Sequence, residues 1–265
     1  MSARTTSTPS KPHTRQSPLI GRGFARARIY GALAHLLGYP TDERLALLRA
    51  DRDVLLAAAD YLQFSPGAWA LVIEHIDVGR AATWEEAYQR SFTLTFSPDV
   101  PAYEVAYVST DIFRQTETMA DIAGFYRAFG AEVGGAARER VDHIAVELSF
   151  MQLLCLKEVY AREHDDDEAR TICHDAQLGF LHDHLLCWAP AFARRLEASG
   201  EPPYGAAGQL LAAWLQRERS VLRVEPRHVY EEPLPPEPEP DLECPVNDVA
   251  SSFIAVDDVL VEEKP

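Results

Sequence analysis

The sequence has no CxxC pair, no glycine-rich phosphate loop, no HExxH helix and no nucleophile–histidine–acid motif. It also has no apolar run near the roughly 18–20 residues that a membrane span needs. Each absence removes a class of function. Tight zinc sites and thioredoxin-like redox sites need closely paired cysteines, and here Cys155, Cys173, Cys187 and Cys244 stand apart. The N-terminus has no apolar h-region of an export signal, so the expectation is a cytoplasmic protein with reduced thiols. Positive charge is scarce too: 25 Lys and Arg face 41 Asp and Glu, a net charge of −16. A nucleic-acid binder would carry a basic stripe and none is visible, so neither nucleic acid nor membrane insertion is expected.

What is present is helical periodicity between two biased ends. Residues 1–18 hold eight Ser or Thr and three Pro, a composition that cannot bury a core, so 1–20 is expected to be a disordered tail. Residues 225–265 hold eight prolines and twelve acids against Arg227 and Lys264, an acidic Pro-rich tail by the same reasoning. Within it "FIAVDDVLVEEK", 253–264, is apolar enough to dock, and folding back over a binding groove as a gate is one expectation for it.

Between these ends, 21–224 reads as one all-α bundle of about nine to ten helices. Phe24, Ala27, Ile29, Leu33, Leu36 and Leu37 recur at helical spacing and stop at Gly38 and Pro40. Thr41 can cap a helix reaching about Gln63. Ser65 and Pro66 suit the start of the next, and "TWEE", 83–86, has the form of a capping box for a helix ending near Phe96. Pro98 and Pro101 forbid a continuous helix there. A long helix is predicted over 109–129, with Ile112, Met119, Ile122, Tyr126 and Phe129 as its stripe and Gly130 as its stop. "GAEVGGAARER" is a loop. A helix over 142–163 places Ile144, Leu148, Met151, Cys155 and Val159 on one face. "HDDDE" is a polar turn. The 168–198 run points Ile172, Leu178, Leu181, Leu185 and Trp188 inward, with Pro190 as a place to break, and "GAAGQLLAAWLQRERSVL" closes the domain.

Three clusters carry candidate chemistry. Asp142 and His143 are adjacent, so on a helix they point about 100° apart and do not chelate one metal. Asp142 suits a helix cap, whose loss costs about 0.5–2 kcal/mol. With Glu147 one turn on, the pair is either a cap with a polar contact or an exposed helix start that recognises a basic peptide. In "CHDAQLGFLHDHLLC" His184 and Cys187 are one turn apart and could share a metal, but Cys173 lies about 20 Å away at 1.5 Å per residue. The plainer reading makes the cysteine a small core residue and the histidines partner contacts. "PDVPAYEVAY" presents Tyr103, Glu104 and Tyr107 on a proline-stiffened segment. It is either a connector packed on the core or the wall of a groove for an extended cationic ligand.

Four segments, "VPAYEVAYVSTD", "MADIAGFYRAFG", "ERVDHIAVELSFMQLL" and "FLHDHLLCWAPAFARRLE", occur in an order that resembles the TorD/DmsD/NarJ-type chaperones of molybdoenzyme maturation. The family hallmark is E-x-P-D-H-[IL] followed by E-L and F-M. Glu139, Asp142, His143, Ile144, Glu147, Leu148, Phe150 and Met151 match it, and His184, Trp188 and Phe192 fit the later pattern. Val141 departs, standing where the family usually has proline, and loosens the backbone that proline would fix. The resemblance covers about 24–220 and also suggests the branch serving reductases and dehydrogenases of dimethyl sulfide, ethylbenzene, chlorate or selenate.

The resemblance implies a non-catalytic cytoplasmic chaperone with no catalytic residues and no metal. Its partners would be the apo catalytic subunit of a molybdenum enzyme and that subunit's twin-arginine signal peptide. It would keep no cofactor itself, the client taking up molybdopterin guanine dinucleotide. Tyr103, Glu104, Tyr107, Glu139, Asp142, His143, Glu147 and His184 are the expected binding residues. A monomer is expected, with dimerisation by helix exchange open. The alternatives are a metal-binding helical enzyme and a generic helical adaptor.

Overall fold

The longest helices run where the apolar spacing is most regular. The structure is a computed structural model and describes residues 18–64, 67–92, 100–134 and 139–235. Among these, the α-helices in chain order are α1 (Pro18–Leu37), α2 (Asp42–Ala50), α3 (Arg52–Tyr61), α4 (Ala68–Val78), α5 (Ala81–Phe92) and α6 (Val105–Val108). They continue with α7 (Ile112–Ala128), α8 (Ile144–Glu163), α9 (Asp167–Phe180), α10 (Leu186–Ser199) and α11 (Tyr204–Leu222). A π-helical turn, Leu181–Leu185, joins α9 to α10 without a break. The class is all-α as expected; the only strand-like feature among the described residues is one isolated bridge.

The most extensive helix pair is α1 against α8. Gly23 and Gly31 of α1 face α8, where a methyl group would run into Val159 and Gln152. On α8 the predicted face holds, with Ile144, Leu148, Met151, Cys155 and Val159 all buried. The α10–α11 pair also comes close at one point. A methyl group at Gly208 would lie 2.7 Å from both Ala193 O and Glu197 N, so glycine is what the crossing requires. The first and last helices are tied by a buried ion pair. Arg26 donates from Nε and Nη2 to Glu218 at 3.0 and 2.6 Å, and Tyr30 Oη adds a bond of 3.0 Å. Trp214 packs edge-on against Tyr30 and Phe64 beside this pair.

Several expectations need correction. The 41–63 helix is two helices meeting at Asp51, which keeps right-handed helical angles while turning the axis. No glycine or proline marks that corner. Thr41 does cap α2, accepting from Arg44 N at 3.2 Å. Thr83 lies inside α5, not before it, so "TWEE" is not a capping box here. Phe24, Ile112 and Ile172, expected inside, are exposed. Pro190 sits within α10 without ending it. Helix α1 begins at Pro18, inside the expected tail, and 225–234 lies against the helices instead of leaving them. Ser65, Pro66, the helix end at Phe96, Pro98, Cys244 and the 253–264 island lie outside the described residues.

No helix among the described residues is long and apolar enough to cross a membrane.

Candidate functional site

The motif segments are distant in sequence and meet through backbone pairing. Tyr103 and His143 form an antiparallel bridge. Glu104 N–H donates to Asp142 O at 3.0 Å, and Ile144 N–H to Ala102 O at 2.9 Å. Two short irregular segments thus satisfy each other's backbone groups, as any buried backbone must. The pairing fixes α6 against the start of α8.

Asp142 lies at this seam and is fully buried. It is not the cap of α8. Arg140 donates to both its oxygens, Nε to Oδ1 at 2.9 Å and Nη2 to Oδ2 at 2.7 Å. Val105 N–H also reaches Oδ2, at 3.3 Å, so Asp142 serves the N-terminus of α6 across the bridge. The cap of α8 is His143, whose Nδ1 accepts from Ala145 N–H at 3.1 Å. That bond leaves the ring proton on Nε2, which faces Glu139 Oε2 at 3.6 Å. Burial, helped by the charges of Arg44 and Arg140, pulls its pKa down to about 3. His143 is therefore neutral at pH 7.

Behind the seam lies a chain of buried acids. Glu147 Oε2 accepts from Trp188 Nε1 at 3.2 Å, while Oε1 makes no hydrogen bond of normal geometry. Its carboxyl group is next to that of Glu104. Burial raises both pKa values; the charge of Glu104 adds to the rise at Glu147, while His184 moderates the rise at Glu104. Each carboxyl group therefore favours its neutral form more strongly than a carboxyl group in water does. His184, on the π turn, approaches the Glu104 oxygens with Nδ1 at 3.1 and 3.3 Å. Its Nε2 faces Asp121 Oδ2 at 3.4 Å. Burial alone would lower the His184 pKa, but Glu104, Asp121 and Asp183 outweigh it and raise it.

This spine separates two clefts. One, about 350 Å³, is mainly apolar and includes Tyr126, Val146, Phe150 and Leu153, with Glu132 and Glu139 on its lining. The other, about 620 Å³, is lined by Glu104, Glu117, Asp121, Asp183 and His184 together with Arg114 and Arg227.

The eight expected binding residues are thus brought together only in part, and the exposed helix start does not exist. Glu104, Tyr107, Asp142, His143, Glu147 and His184 are all buried. Tyr107 packs on Trp188 at 5.3 Å between ring centres and belongs to the core. Tyr103 and Glu139 are the partly open members, with Arg140 over the Tyr103 ring at 4.8 Å. Glu104 and His184 reach a cleft surface. The sequence reading missed Arg140, Asp121 and Asp183, although all three stand inside or beside the quoted motifs. Asp121 could have been found from "MADIAGF", because it lies one turn before Phe125, which packs on His184. Of the metal reading, Cys187 is a core residue donating to His182 O at 3.2 Å. Among the described residues no three His, Cys, Asp or Glu side chains are grouped to hold a metal.

The fold and site define an all-helical bundle organised around one bridge between two motif segments. A family model described as the nitrate reductase delta subunit matches residues 56–194, which include both segments, so the chain belongs to that family. It is 36% identical over 102 residues to the selenate reductase assembly chaperone protein of Thauera selenatis, covering 38% of this chain and 51% of that one. It is 35% identical over 107 residues to the chlorate reductase assembly chaperone protein of Ideonella dechloratans, covering 40% and 54%. It is 33% identical over 121 residues to the chaperone protein TorD of Photobacterium profundum, covering 45% and 55%. The chain spans about half the length of these curated relatives. The resemblance to TorD-type maturation proteins read from the motifs holds.

Proposed function

We propose that this chain is an assembly chaperone for the apo catalytic subunit of a molybdenum-cofactor oxidoreductase. It binds that subunit and its twin-arginine signal peptide in the cytoplasm and holds back export until molybdopterin guanine dinucleotide is in place. The chain keeps no cofactor and catalyses no reaction of its own. Selenate and chlorate reductase chaperones among its relatives favour a client of that branch.

The observation that carries this reading is the acid-walled cleft at the motif. Arginine pairs best with carboxylates that are fixed and partly desolvated. Asp121 and Asp183 are held at the cleft by their positions on α7 and the π turn, and Glu104 lies deeper behind His184. The apolar cleft on the other side of the spine suits the hydrophobic stretch that follows the arginines in such a signal. The buried acids behind the wall act on client binding only through the shape they hold.

The test is a titration with a peptide carrying two consecutive arginines and an apolar stretch, beside its Arg→Gln version. The expected outcome is saturable binding of the first and a large loss of affinity in the second. Equal or absent binding of both peptides, with no co-purification of an apo molybdoenzyme subunit, overturns the reading. In that case the helical adaptor remains.

A further inference from the structure

Residues expected to form a free tail follow a defined path. Arg223 turns the chain with a left-handed φ of 53°, and Val224 is buried. The chain then runs without helix or strand, with bends at Arg227 and Glu232, over the π turn, the first turn of α10 and α6. Three backbone N–H groups hold it, and Glu225 O meets the His182 Nδ1 atom. Arg227 N–H donates to His182 O at 2.7 Å, Tyr230 N–H to Cys187 O at 2.9 Å and Leu234 N–H to Ala106 O at 2.8 Å. Carbonyls inside a regular helix are used by its own ladder. A π turn shifts that ladder and is a frequent feature of functional sites. Here the first two acceptors lie in the π turn and just after it.

Of the strap's side chains Tyr230 packs against the core, and the others add little hold. Val229 is 63% exposed and Leu234 39%. The ion pairs Arg227–Asp183 and Arg195–Glu232, each at 3.6 Å, lie at the surface, where such pairs are worth about 0–1 kcal/mol. Backbone bonds of this kind can be remade by any extended peptide in the same register. One strap side chain is chemically specific. Arg227 places its guanidinium beside Asp183, on the cleft that Glu104, Glu117 and Asp121 also line. His184, 3% exposed, has its Nε2 in this cleft wall without a normal hydrogen bond.

We propose that the carbonyls of His182, Cys187 and Ala106, with the acidic cleft beside them, form a binding site for an extended arginine-bearing peptide. Residues 225–234 occupy that site in cis until such a peptide displaces them. Arg227 is the internal counterpart of a client arginine. The inference rests on the proposed function, which supplies a cationic client peptide, and adds where it binds and what it must displace.

The test uses the full chain, Leu234→Pro and Arg227→Gln. Leu234→Pro removes the N–H that bonds Ala106 O without altering charge at the cleft. Both variants should bind the twin-arginine peptide more tightly, Leu234→Pro by up to about ten-fold if the strap occupies the site about nine-tenths of the time, and Arg227→Gln by a smaller, few-fold factor because it loses only a surface ion pair. In the full chain, hydrogen exchange at the Arg227, Tyr230 and Leu234 amides should change when the peptide is added, as their acceptors are taken over. Tight peptide binding with unchanged affinity in Leu234→Pro and unchanged exchange at those amides overturns the strap while leaving the chaperone reading intact. A gain in Arg227→Gln alone reports charge removal and also overturns it. No peptide binding by any of the three proteins removes the peptide-binding reading and the strap with it.

Discussion

Two neighbouring side chains at the motif respond to pH in opposite directions. His143 is neutral and buried, with its pKa brought down to about 3 by burial and by the charges of Arg44 and Arg140. The unfolded chain takes up a proton near the ordinary histidine value of about 6.5. Its contribution is therefore fully present above that value and is lost as pH falls towards about 3, by roughly 1.4 kcal/mol per pH unit. Glu147 has its pKa raised, first by burial and then by the charge of Glu104. The unfolded chain loses that proton near the ordinary carboxylate value and the native chain keeps it, so stability falls as pH rises through and above that value. Denaturant unfolding across pH should separate the two. His143→Asn, which keeps a capping acceptor, should lower stability at pH 7 but flatten the fall below about pH 6.5. Glu147→Gln should become progressively more stable relative to the wild type as pH rises. Parallel pH profiles for wild type and variants would mean that neither group is held as the geometry indicates.

At the scale of helices, close approach decides which residues are tolerated. Gly208 sits where α10 and α11 cross, with backbone 2.7 Å from the place of a methyl group. Gly208→Ala should cost about 1–3 kcal/mol by forcing the helices apart. Gly124, inside α7, has open space at that place, so Gly124→Ala should stabilise by roughly 0.5–1 kcal/mol through helix propensity alone. Thermal melts of the two variants should move in opposite directions; the same sign for both would contradict the packing. The helices themselves were legible in the sequence because apolar spacing survives in single residues, as at Ile144, Leu148 and Met151. The corner at Asp51 was not, because it uses ordinary helical angles and no breaking residue. The strap was not legible either, because its hold is backbone bonding to helix carbonyls, which leaves no side-chain pattern. The spine was half legible. Glu104, Asp142, His143, Glu147 and His184 were all singled out, but their burial was not, since an acid paired with another segment looks in sequence like an acid facing water.

For the whole molecule the charge is the main long-range property. The sequence carries a net −16, so a cationic peptide is drawn towards it before any contact forms. That attraction is screened beyond a Debye length of about 8 Å at physiological salt, whereas pairs inside a cleft are screened less. Association with a twin-arginine peptide should therefore slow as salt rises from roughly 50 to 500 mM, with a smaller effect on dissociation. Asp121 separates steering from recognition. Its side chain is 64% exposed and faces His184 Nε2 across the cleft wall at 3.4 Å, so it can be neutralised with little packing change. Asp121→Asn should leave the unfolding free energy within about 0.5 kcal/mol of the wild type and weaken peptide binding several-fold. A control, Asp53→Asn, removes the same charge from the exposed first turn of α3. If steering alone matters, the two variants will slow association alike. If the cleft is the binding site, only Asp121→Asn will speed dissociation, measured by stopped-flow release of a labelled peptide. Equal dissociation rates in the two variants would move the arginine site away from the π turn.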